Sequence, residues 1–397
     1  VKALVPALGL LALAAPAAAA QRGRPDTVVL KDRQILEGRI EKDDLNEVHL
    51  KPAQGPLRKL KAEEVKLVQY GGAPPDFNSG VQAAEAGRFK SALDSIQKSI
   101  EAAKTITEDQ TKTVTKRKYP EYDPPDEKWW KPYSTYYEAL ALRMNRSYES
   151  ASERYETILK NHKDFRLVRE AYLGAMRAAI DRAEPDEAKA KEILEAARAE
   201  RARLGERVLG ELELCQIELY MRTEKYAEAA PLYERLAASS DEATALQGVR
   251  GVLSCKRKAG EDPSAYCVGL IGTAKSPKIK MIASAALGEF LRGRADGSGA
   301  AKDYHEAVKA LVDAVLVYYP GRGAGTDQDH EDALLSLAAC YEGMAKKAAT
   351  PKAARPYWRM AAKTYQELLA AHESSPRADE AARRQTEAEA QAPTESP

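Results

Sequence analysis

Chemistry requires reactive side chains brought to one point, so the histidines, cysteines and clustered acids come first. The five histidines, His49, His162, His305, His330 and His372, are scattered, and no two stand at metal-ligand spacing. Cys215, Cys255, Cys267 and Cys340 form no C-x-x-C pair, so neither a redox nor a zinc motif is present. Cys255 and Cys267 flank a turn around Gly260 and could be bridged, although four small buried apolar residues is the plainer reading. The glycine-rich run from Gly321 to Asp332 lacks the Lys-Ser/Thr ending of a phosphate loop. Its Asp327, Asp329 and Glu331 alternate as in a calcium loop without the remaining ligands, and suit the start of a helix better. Glu121, Asp123 and Asp126 are the only clustered acids near aromatics, and neither G-x-S-x-G nor H-E-x-x-H occurs. These residues imply no enzyme, no cofactor and no metal.

Binding is the stronger expectation. The stretch 105–137 holds Tyr122, Trp129, Trp130 and Tyr133 among prolines 120, 124, 125 and 132. Aromatics held by prolines can stack on sugar faces or grip a peptide. The competing reading is an insertion that folds back and hides its own rings.

The elements that must position these residues follow from composition and periodicity. With 44% apolar and 30% charged residues, the chain reads as folded, and 4 Phe against 19 Tyr suits many thinly layered helices. Residues 1–20 open with Lys2, continue with an apolar run from Ala3 to Pro16, and end in Ala18-Ala19-Ala20. That order reads as a cleaved secretory signal, placing the protein in the periplasm or outside the cell with no transmembrane segment after cleavage. Of the 61 basic and 60 acidic residues only Lys2 lies in that segment, so the remainder balances at 60 against 60. No global field then favours nucleic acid or an anionic membrane. Short basic runs such as Arg58-Lys59-Leu60-Lys61 and Lys116-Arg117-Lys118 read as solvated faces.

From Pro25 to Tyr70 the pattern is β. Leu36, Gly38 and Ile40 alternate with Ile35, Glu37 and Arg39, and four further short strands lie at 27–30, 48–50, 57–60 and 65–70. Five short strands in a stretch this small suggest a closed barrel, since closure removes exposed edges. The run resembles small SH3-like or Sm-like barrels. The linker at 71–75, Gly-Gly-Ala-Pro-Pro, can continue neither strand nor helix and marks a domain boundary.

Beyond it, from 76 to 376, apolar residues recur every three to four positions, and Gly or Pro interrupts every 15 to 20. Gly80 is followed by Ala92, Ile96 and Ser99; Leu142 by Ala151, Tyr155 and Ile158; Tyr220 by Ala229, Tyr233 and Leu236. Further on come Tyr304, Ala307, Leu311 and Ala314, then Tyr341 with Ala361, Tyr365 and Leu368. Small residues allow two antiparallel helices to approach closely, and the large aromatics fill the space between hairpins. These positions resemble the tetratricopeptide repeat, at steps longer than the usual ~34 residues.

The fold expected is therefore mainly α: a tetratricopeptide-like α-solenoid of about seven hairpins behind a small five-stranded barrel, with a partly disordered tail over 377–397. The resemblance implies a non-enzymatic scaffold of the bacterial cell envelope that binds a protein or peptide partner through a groove of first helices. In that register Phe77, Val81, Glu85, Tyr136, Leu140, Arg143, Leu214, Glu218 and Arg222 face the groove. The alternative is a glycan- or peptidoglycan-binding protein that uses the aromatic insertion.

Overall fold

The structure, a computed structural model, describes residues 25–74, 76–110, 127–299, 301–319 and 328–392. Five strands come first: β1 (Asp26–Leu30), β2 (Ile35–Asp43), β3 (Glu47–Lys51), β4 (Arg58–Lys61) and β5 (Val65–Gln69). They form one antiparallel sheet in the order β4-β3-β2-β1-β5. The alternation of β2 does what its sequence predicts, burying Leu36 and Ile40 with Val28, Val48 and Leu50 while Ile35, Glu37 and Arg39 face outward. Gly38 is fixed by crowding, because a Cβ there would run into the backbone carbonyl of Lys51. The register slips between Ile40 and Lys42, a bulge that turns Asp43 inward.

The 71–75 linker is tied down on the sheet side. The Gly71 amide donates to the Asp26 carboxylate (2.9 Å), and the Asn78 side chain donates to the Tyr70 carbonyl (2.9 Å).

Sixteen α-helices follow among the described residues, and the chain divides into two compact units at Leu219/Tyr220. In the first unit, after the sheet, come α1 (Phe77–Glu85), α2 (Phe89–Gln110), α3 (Glu127–Met144), α4 (Tyr148–Asn161), α5 (Val168–Ile180), α6 (Glu187–Ala199), the short α7 (Arg201–Leu204) and most of α8 (Glu206–Arg222). The second contains α9 (Tyr226–Ala237), α10 (Glu242–Ala259), α11 (Ser264–Thr273), α12 (Pro277–Ser298), α13 (Ala301–Val312), α14 (Gln328–Lys347), α15 (Pro351–Ala371) and α16 (Ala378–Gln391). Within each unit most helices successive in the chain pack on one another, among them α1 with α2, α3 with α4, α9 with α10 and α14 with α15, and α16 packs on α15. Several helix starts are set by the sequence. Ser276 and Thr350 cap the amides of Ile279 and Ala353, each followed by a proline at the first helical position.

The repeat positions behave as their types require. Ala92, Ala151, Ala229, Ala307 and Ala361 have no exposed surface. Tyr155 of α4 fills the space beside Gly174 of α5, and Tyr233 of α9 does the same beside Gly251 of α10. Tyr304 of α13 repeats the arrangement beside Gly343 of α14. In each pair, an aromatic on a second helix seats on a glycine of a later first helix, which is how one hairpin grips another.

One expectation is corrected. The stretch 105–137 is not an insertion throughout, because α2 continues to Gln110 and α3 begins at Glu127. Trp130, Tyr133, Tyr137 and Ala141 share a buried face of α3 at spacings of three and four, and this period runs through Pro132. The Lys131 carbonyl beside that proline accepts from the Ser134 and Thr135 hydroxyls, 2.9 Å each. Proline punctuation thus marked a break where the apolar period continued. Tyr122, Glu121, Asp123 and Asp126 lie outside the described residues.

Candidate interaction surfaces

The expected groove residues divide into two groups. Phe77 and Val81 of α1 and Tyr133 of α3 are buried in the first unit's own core, which corrects their assignment to a partner, while Trp130 of α3 is mostly buried and keeps only an edge exposed. Phe77 meets Trp130 edge to face at 6.5 Å, so the ring offered for partner contact is spent on packing α1 to α3. Of Trp129 only the backbone, in the first turn of α3, is described.

Of the others, Glu85, Tyr136, Leu140, Arg143, Leu214 and Glu218 lie on first helices of the first unit, α1, α3 and α8. Glu85 of α1 accepts from the Tyr137 hydroxyl of α3 (3.2 Å). Arg143 of α3 pairs with Asp181 at the end of α5 (3.7 Å), and Arg177 of α5 pairs with Glu218 of α8 (2.5 Å). Tyr136 is half-buried against Tyr137, Tyr155 and Phe165, and Leu140 is half-buried as well. Leu214 of α8 stands 37% exposed. Arg222 is exposed at the end of α8, in the second unit. The charges on the first-unit face thus bridge neighbouring helices.

A groove that periodicity did not reveal opens between α2, α3 and α4, with a volume of about 630 Å³. Ile100 and Lys104 of α2, Trp130, Lys131 and Glu138 of α3, and Arg154 of α4 are among its lining residues. Glu138 is buried, and Arg154 closes on it at 2.9 Å. Apolar wall, hydroxyls from Thr135 and Thr157, and charges of both signs make a surface suited to polypeptide, which presents the same mixture. The signal available in the sequence was the mixed face Gln97, Ile100, Glu101, Lys104 of α2; its neighbours on α3 and α4 come only with the fold.

Behind this lies a buried polar cluster. Asp43 accepts from the hydroxyls of Tyr70 (2.7 Å) and Tyr133 (2.6 Å), and the guanidinium of Arg166 approaches it at 3.4 Å. Arg166 also donates to the Tyr133 oxygen (2.8 Å) and to the Val65 carbonyl (3.4 Å). Burial pushes the Asp43 carboxyl above its ordinary range, opposed by Arg166 and the two phenols; burial also drives both phenols well upward. Four residues from β2, the end of β5, α3 and the turn after α4 thereby lock the sheet onto the first hairpins. All four side chains are buried, so the cluster acts as a clamp.

In and just before the second unit, the cysteines and acids weighed in the sequence stand apart from one another. Cys215, which lies just before it, and Cys255, Cys267 and Cys340 are free and buried. Cys255 lies against Met221 (3.5 Å), not against Cys267. Burial pushes the Cys267 and Cys340 thiols up to about 12, far from reactive thiolate. Asp329 turns to Arg250 and Glu331 to the Ser375 hydroxyl (2.6 Å), so these two acids of the 321–332 run do not converge. His330 and His372, 42 positions apart, meet at 3.0 Å, which corrects the picture of wholly scattered histidines. Among the described residues no three His, Cys, Asp or Glu side chains are placed to hold a metal ion.

The fold and these surfaces define a class: a tetratricopeptide-like helical-hairpin protein with an N-terminal five-stranded antiparallel sheet. No protein-family model matches the chain, and no curated protein matches it. Among the solved structures that match is that of Naa15/Naa10 bound to HypK-THB, at 12% identity and a TM-score of 0.30. The match covers 80% of this chain but 57% of that one, and at this depth of likeness nothing about function follows. No described helix is long and apolar enough to cross a membrane.

Proposed function

We propose that the protein is a non-enzymatic interaction scaffold, exported to the bacterial cell envelope, that holds an extended segment of a protein partner in the groove between α2, α3 and α4. The observation that carries this reading is the groove itself: about 630 Å³, with an apolar wall and charges of both signs on three rigid helices. Export rests on the order of charge, apolar run and small residues in 1–20. The sheet, read as a small SH3-like barrel, serves as a second contact module. The glycan alternative draws on Trp130 at the groove, but a sugar needs an open ring face and this indole is 8% exposed.

The test is in-cell crosslinking and recovery from the envelope fraction, with Thr135→Arg and Lys131→Glu in the groove and Leu214→Asp on the first-helix face. Loss of defined protein partners in the groove variants alone supports the proposal. Loss only with Leu214→Asp moves the site to the first-helix face, and recovery of glycan without protein overturns the scaffold reading.

A further inference from the structure

His330 sits in the first turn of α14 and His372 directly after α15, and both are buried, at 6% and 2% exposure. The Nδ1 of His330 faces the Nε2 of His372 at 3.0 Å. Tyr319 stacks on the other side of His330, with ring centres 3.6 Å apart and planes 13° from parallel. The surrounding turn is built on the same point. Ser375 donates its amide to the His372 carbonyl (2.9 Å) and its hydroxyl to Glu331 (2.6 Å), and Arg377 pairs with Asp332 and, at 3.9 Å, with Glu331. The turn from α15 to α16 is thus held on α14 by one imidazole pair and one carboxylate cluster.

A neutral imidazole carries one N–H, so two facing nitrogens bond only when one is protonated and the other bare. One added proton can go to an outer nitrogen without breaking the bond between the rings, although Nδ1 of His372, one of the two outer nitrogens, is buried without a hydrogen-bond partner and takes it at a cost. A second added proton puts N–H against N–H and sets two cations with ring centres 5.2 Å apart. Among the described residues, the charged and titratable groups nearest the pair in the chain are Asp329, Glu331 and Asp332 on α14, Glu373 and Arg377 in the turn, and Tyr318 and Tyr319 on the segment before α14. Lys280 of α12 lies over the Tyr318 ring at 5.8 Å. Asp329 is paired with Arg250, while Glu331 and Asp332 are held by Ser375 and Arg377. These acids favour the first imidazolium but cannot remove the clash that the second creates.

We propose that the His330–His372 pair is an acid-labile clasp, holding the α15–α16 turn on α14 near neutral pH and releasing it, with α16, when both rings become charged. Released, α16 uncovers the apolar face of α15 around Ala361, Tyr365 and Leu368, which its own Ala381 and Ala388 help to bury. In an opened turn both imidazoles titrate near their ordinary value of about 6.5, while the clasp excludes one of the two protons. The opened state then binds one proton more, so the opening constant rises about tenfold for each pH unit below ~6.5.

The experiment is hydrogen exchange of the full chain at pH 7, 6 and 5, corrected for intrinsic rates, reading amides of α16 against those of α10. The expected result is an α16 opening that grows about tenfold per unit below ~6.5, while α10 stays level, and that flattens to under about twofold in His330→Gln and His372→Gln. An α16 response no steeper than that of α10, or one kept in both variants, overturns the clasp. Should the variants fail to fold, the C2 protons of the wild-type histidines decide by NMR. One of the two rings remaining neutral below pH ~5.5 supports the proposal, and both titrating near ~6.5 ends it.

Discussion

The ring of Tyr155 occupies the space that a side chain at Gly174 would need, with its hydroxyl end and ring edge against the glycine Cα. This contact is one of those that join the second hairpin to the third. Gly174→Val should cost about 1–3 kcal/mol through overpacking, and Tyr155→Leu should recover part of that cost. Urea unfolding of both single variants and the double variant measures the coupling. Strict additivity would show that the two residues do not share this space.

The clamp of Asp43, Tyr70, Tyr133 and Arg166 predicts unequal losses. Asp43→Ala leaves a buried guanidinium without its counter-ion and should cost about 3–5 kcal/mol, whereas Tyr133→Phe removes one hydroxyl and should cost about 1–2 kcal/mol. Exchange protection in β2 and β5 should fall together with that of α3. If the sheet alone loosens, Arg166 does not couple it to the helices.

Glu156 of α4 accepts from Lys189 of α6 (2.7 Å) and Lys160 (3.0 Å), which hold its carboxyl below the ordinary range. A carboxyl lowered on folding adds stability above its unfolded value of about 4.5, lost as pH falls through the folded value. The pair is partly exposed and screened, so its contribution should stay under ~1 kcal/mol. Lys189→Met should therefore lower the melting temperature slightly at pH 7 and leave it unchanged at pH 3. An equal drop at both pH values points to lost packing instead.

The thiols give a direct check on burial. With Cys267 and Cys340 held near 12, a thiol reagent at pH 8 should leave the native chain almost unlabelled and modify four cysteines after denaturation. Rapid native labelling, or a non-reduced mass 2 Da short as a bridge would give, contradicts the buried, unbridged state of these thiols.

Legibility followed the range of the interactions. The alternation in β2 and the Ala and Tyr positions of the hairpins were readable because each expresses a face repeated every two or every three to four residues. The helical nature of 127–137 was also present in the spacing of Trp130, Tyr133 and Tyr137, but Pro132 outweighed it. The Asp43–Tyr133 bond spans 90 positions and the His330–His372 contact 42, and no local period encodes either.

By itself the sequence determined which residues turn inward: five short strands, then helices whose small and aromatic residues pack as hairpins. Periodicity states that a face is buried and is silent about what buries it. Only the tertiary structure decided that Phe77 and Tyr133 serve the protein's own core, that a groove edged by Trp130 opens between α2, α3 and α4, and that two distant histidines share a hydrogen bond. Each of these depends on which helix lies beside which, a choice made by packing across tens of residues of intervening chain.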